Sequence, residues 1–154
     1  MNPLYTNPLY ELYAEASGGH PDALVFLWSF HYYIHEIDDL VDGQKEFNAE
    51  NLVGLLVKAN TLYSTPFWIG NSAALSSIMV HIAATWLDSV AWEKDPVLWK
   101  RNVADVIRLC GNDMVRTVAH ITGSFESVRR ISLRLREFSW QDQHEREVQQ
   151  VKVA

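Results

Sequence analysis

The punctuation of this chain limits its fold more than any other feature. Glycine and proline fall mainly between periodic segments and seldom inside them. Gly18-Gly19 stand ahead of Pro21, and Asp42-Gly43 close the segment that Pro21 opens. Thr65-Pro66 and Asp95-Pro96 each set a capping side chain before a proline. Proline suits the first helical turn, where its missing N–H would be unpaired anyway, and Ser, Thr, Asp or Asn just before it satisfies an orphan donor. Gly suits the far end, so this order is that of helix starts and stops. Strand signals are nearly absent.

The spacing predicts six helices. The first starts at Pro3 or Asn7 and runs to Ala16. The second runs from Pro21 to Asp42-Gly43. The third, capped by Asn48, runs from Ala49 to about Tyr63. The fourth starts at Pro66, with an irregularity at Gly70-Asn71. The fifth starts at Pro96 and ends at Gly123. The sixth follows Ser124, carrying Phe125, Val128, Ile131, Leu135 and Phe138 on one face. The rival there is a strand, since Ile131, Leu133 and Leu135 alternate with polar residues. The helical period is preferred because it holds from Phe125 to Phe138. After Gln141 the sequence turns polar, and its tail is expected to fray. A chain of 154 residues with 48% apolar side chains and six Trp can build one core. The expectation is therefore all-α, a bundle of about six helices in a single domain, 1–154. The fourth helix, rich in Ala and Ser between Ala73 and Ala91, is expected at its centre.

Charge and cysteine content narrow the partners. A net charge of −6 disfavours nucleic acid, which needs a basic face. The single Cys110 excludes a disulfide framework within one chain, and a buried, inert thiol is expected there. A reducing, cytoplasmic setting is expected, with no signal peptide. The most apolar stretch, Ala73 to Leu87, contains Ser76, Ser77, His81 and Thr85, and is read as too short and too polar for a membrane span.

The second helix carries the strongest chemical signal. Leu27, Phe30, Ile34, Ile37 and Val41 form an apolar stripe. About 100° round the helix lie Trp28, His31, His35, Asp38 and Asp42, as at the lip of a cleft. Asp39 borders that patch, with Glu36 nearby. Acids in a last helical turn oppose the helix dipole and one another, so something must offset them: a cation, basic partners or water. Mg²⁺ accepts one or two carboxylates together with substrate phosphates and water. Asp38 and Asp42, one turn apart, fit that demand.

Asp38-Asp39-Leu40-Val41-Asp42 resembles the first metal motif of the class I isoprenoid synthase superfamily, which includes prenyl diphosphate, squalene/phytoene and terpene synthases. The resemblance implies an isoprenoid-synthase-like helical cavity in which Mg²⁺ grips a substrate diphosphate. Asp38, Asp39 and Asp42 would hold metal. Asn112 and Asp113 would begin the second motif. That motif departs from the terpene pattern, which has Ser or Thr at the fourth position and Glu at the eighth. Here Arg116 and His120 stand there, with Thr117 one place late. Arg116, Arg108 or Arg130 would neutralise the diphosphate. His31, His35 and Trp28 would contact substrate, and Trp28, Phe30 and Tyr32 would line an apolar pocket. Two chains could complete one cavity as a homodimer.

Plainer readings stand beside these. The aspartates also suit a solvated helix end before a turn, and the histidines suit hydrogen-bonded core flanks. Arg101, Asp105, Arg108, Asn112 and Arg116 also suit an exposed ion-pair ladder. Arg129, Arg130, Arg134 and Arg136 often balance nearby acids. Two alternatives to a prenyl diphosphate enzyme follow. One is an all-α nucleotide pyrophosphatase, with Glu36 and Asp39 as its acid pair. The other is a non-catalytic helical protein that works by oligomerisation.

Overall fold

A computed structural model describes the backbone of residues 8–153 and the side chains of residues 8–139. The seven α-helices among the described residues are α1 (Pro8–Ala16), α2 (Pro21–Val41), α3 (Ala49–Tyr63), α4 (Pro66–Trp92), α5 (Leu98–Ile107), α6 (Asn112–Thr122) and α7 (Phe125–Val153). Asn48 and Thr65 cap as expected. The helix expected from Pro96 instead starts at Leu98 with Val97 at its N-cap, because Asp95 Oδ1 accepts from the Val97 N–H ahead of the helix. Asn48 accepts from the Asn51 N–H at 3.0 Å, and Thr65 from the Trp68 N–H at 3.3 Å. The expected irregularity in α4 lies at Asn71, whose backbone leaves the helical region. The start expected at Pro3 or Asn7 lies outside the described residues, as do the side chains of the polar tail. The backbone of that tail continues α7 to Val153.

The fifth expected helix is the main departure. It divides into α5, a 3-10 turn over Arg108–Gly111, and α6. Gly111 sits where α2 presses on this turn. A Cβ there would meet the Ile34 side chain at 3.2 Å, closer than ordinary contact. The turn thus lets the chain pass α2 at close range.

One core joins the helices. Phe26, Leu27 and Phe30 of α2 meet Leu62, Leu75, Met114, Val115, Val118, Ile131 and Leu135, and all of these are almost fully buried. Phe26 lies 5.4 Å from the Phe67 ring and 6.5 Å from Phe30. The α2 stripe expected from Leu27 to Val41 is buried only in its first half. Ile34 and Ile37 are half-buried and Val41 is 51% exposed. On α7, Ile131 and Leu135 are buried while Leu133 is exposed; Phe125, expected on the buried face, lies exposed at the first residue of the helix. Helical rather than alternating spacing therefore governs that segment.

The central place expected for the fourth helix is not observed. α4 touches α2, α3, α5 and α6, yet only Phe67, Leu75, Ile82 and Ser89 are buried. Its outward arc from Ala73 to Ala91 faces away from the core. α4 runs 27 residues, so its length and composition, unlike those of the apolar stretch alone, suffice to cross a membrane.

Candidate functional site

α2 brings the sequence-predicted residues onto one helix, but their surroundings separate them into two groups. The first group is aromatic. Trp28 packs edge-on against Tyr13 at 5.1 Å and His31 at 5.4 Å. The Tyr13 hydroxyl lies 3.2 Å from His31 Nδ1. Burial, helped by nearby His35, holds the His31 pKa down to about 4, so its ring is neutral near pH 7. Burial likewise raises Tyr13, which keeps its proton and can donate it to Nδ1. His35 is exposed, with its ring 4.3 Å from that of His31. Beside this cluster, Tyr10, Leu24, Val25, Trp28, Ser29 and Tyr32 line an open groove of about 350 Å³. Trp28 and Tyr32 thus line this groove. Phe30 does not, because it is buried in the core.

The second group is acidic, and its buried member is Glu36, which the sequence offered only as a neighbour of the aspartates and as one of an acid pair with Asp39. Glu36 is 5% exposed and accepts from Lys45 Nζ at 2.8 Å and from Lys58 Nζ. The hydrogen bonds from Lys45 and Lys58 hold its carboxyl below the usual range. Lys45 also pairs with Asp39 at 3.2 Å. Lysines therefore offset much of the charge crowded at the end of α2. The signal for this is tertiary, since Lys58 arrives from α3. Asp38 and Asp42 are different. Among the described residues neither has an ion pair, and the Asp42 N–H closes the helix on the Asp38 carbonyl at 2.8 Å.

The second expected motif is occupied from within. Asp113 pairs with Arg116 and lies 3.9 Å from His81 Nε2. Arg116 also donates to Ser132 Oγ at 3.2 Å, and Asn112 donates to Ser139 Oγ at 3.0 Å. Arg108 turns to Glu93 at the end of α4 rather than to α2, and Arg130 joins Arg134 on Glu15 of α1. Each candidate anion-binding arginine already has a carboxylate. Cys110 is buried, and burial together with the Asp113 charge pushes its thiol up to about 11. That is the inert state expected of it.

Among the described residues, no group of three or more His, Cys, Asp or Glu converges as a metal site. Comparison with protein-family models, with curated proteins and with solved structures gives no match.

Proposed function

We propose that this chain is a non-catalytic helical protein that works by assembling with other helices. The supporting observation is the amount of large apolar side chain left outside the core. At the α2–α3 end, Phe47 is 73%, Leu56 68%, Val57 59% and Val53 58% exposed. α4 adds Val80 at 70% and Leu87 at 61%. Isolated exposed apolar residues are ordinary, but runs of them along two helices mark an interaction surface. Lys45 and Lys58 hold Glu36, and Arg108, Arg116 and Arg130 hold Glu93, Asp113 and Glu15, which leaves less basic charge for an anionic substrate. Sedimentation equilibrium from low to high micromolar concentration tests this. A mass above the 17.7 kDa of one chain is expected. A single-chain mass throughout refutes assembly with itself.

A second reading rests on Asp38 and Asp42. They stand one turn apart at the end of α2 without ion pairs among the described residues, while Lys45 and Lys58 pair with their acidic neighbours Glu36 and Asp39. Two carboxylates suit Mg²⁺ that keeps its waters and carries a diphosphate. On this reading the isoprenoid-synthase resemblance extends to ligand binding. Melting with Mg²⁺ and pyrophosphate tests it. Saturating ligand at about 100 times Kd adds about 2.7 kcal/mol and raises Tm by several degrees. The rise should require both components and vanish in Asp38→Asn/Asp42→Asn. A Tm unmoved by the pair of ligands rejects this reading.

A further inference from the structure

We infer that the outward face of α4 pairs antiparallel with the same face of a second copy of this chain. This rests on the assembly reading above and specifies its interface.

The outward stripe is Ala73, Ser77, Val80, Ala84, Leu87 and Ala91, at alternating spacings of four and three, and every member is exposed. A spacing averaging three and a half residues keeps one line of side chains facing a partner helix. A two-fold axis level with residue 82 gives this stripe a self-complementary order of sizes. Val80 then lies level with Ala84 of the second copy, Leu87 with Ser77, and Ala73 with Ala91. Each large side chain meets a small one, as an isologous contact requires. Small side chains also let two helix axes approach closely.

Charge agrees with this occupant. From Pro66 to Trp92 the sole ionisable side chains are His81 and Asp88, both on the edge of the stripe. An anionic lipid surface or an acidic peptide would call for Lys or Arg at this face, and α4 has neither. A bilayer would have to accommodate Asn71, Ser72, Ser76, Ser77, His81 and Asp88. A second copy leaves the flanking polar groups in water.

The test uses the whole chain with Val80→Glu, Val80→Glu/Ala84→Lys and Val80→Glu/Ala84→Glu. Val80 is 70% exposed, so the single chain keeps its helical circular dichroism in all three. Sedimentation should show a wild-type dimer and a dimer Kd raised more than about 100-fold by Val80→Glu, which buries a carboxylate without a partner. The Glu/Lys variant should dimerise again, because antiparallel register sets each new acid beside the other copy's new base. The Glu/Glu variant should stay apart. A wild-type dimer that survives Val80→Glu overturns this interface and leaves assembly through another face standing. Loss in Val80→Glu without rescue by the Glu/Lys variant overturns the antiparallel register. A wild type that stays single at every concentration overturns both the interface and self-assembly. Flotation of the wild type with neutral phosphatidylcholine vesicles, abolished by Val80→Glu, assigns the face to lipid and overturns the pairing.

Discussion

Phe26→Ala is expected to destabilise the bundle by about 3–5 kcal/mol, the usual cost of truncating a fully buried aromatic. Phe26 has no exposed surface and contacts Phe30, Phe67 and Trp68, so its ring joins α2 to the start of α4. The neighbours are large and rigid, and they cannot collapse into the space left behind. In a domain of this length each kcal/mol shifts melting by about 2–4 °C, so Tm should fall by roughly 10 °C. Thermal unfolding followed by circular dichroism measures it. A loss below about 1 kcal/mol would show that the ring is not a core element.

The second large effect is a pH dependence centred on His31. Its folded pKa, about 4, lies below the unfolded value of 6.5. Above 6.5 neither state carries the proton, and the full stability is present. As pH falls below 6.5 the unfolded chain takes up a proton that the folded chain refuses, so stability declines toward pH 4. Between pH 7.5 and 5 the decline is on the order of 1 kcal/mol, because solvent reaching the partly buried ring screens part of the effect. That window lies above the range in which the lowered carboxyls of Glu36, Asp95 and Glu126 matter. Those groups act in the same direction but at lower pH, contributing above the unfolded carboxylate pKa and losing that contribution as pH falls through their lower folded values. His31→Phe keeps an aromatic ring beside Trp28 and removes the titration. Urea unfolding at several pH values should give a steep slope for wild type and a shallow one for the variant. Equal slopes would show that His31 takes up its proton as readily folded as unfolded.

The helix starts at Pro21, Ala49 and Pro66 were legible because caps and prolines act through neighbouring residues alone. The break at Arg108–Gly111 was not, because the close approach of Ile34 to Gly111 there comes from another helix. The same division explains the site. The periodicity of α2 correctly put Trp28, His31 and His35 side by side, and their ring contacts bear that out. It could not reveal that Glu36 is covered by Lys45 and Lys58, since that arrangement depends on where α3 docks. Arg108 and Arg130 could be recognised as basic but not assigned a direction, because Glu93 and Glu15 lie 15 and 115 residues away. The Ala and Ser content of α4 suggested a central helix, but small side chains alone do not distinguish a central helix from one whose outer arc is exposed.

The docking of α1 bears on how the chain reaches its folded state. Leu12, Tyr13 and Ala16 are buried, and α1 touches α6 and α7 as well as α2. Thr122 Oγ1 donates to the Ala16 carbonyl at 2.9 Å across 106 residues of sequence, and Arg130 and Arg134 reach Glu15. During synthesis the first helix is made early and its partners late. It must wait, with its apolar side uncovered, until α6 and α7 have left the ribosome. Closing so long a loop carries an entropic cost before any contact repays it, so this bundle should fold more slowly than one whose helices pack only on their sequence neighbours.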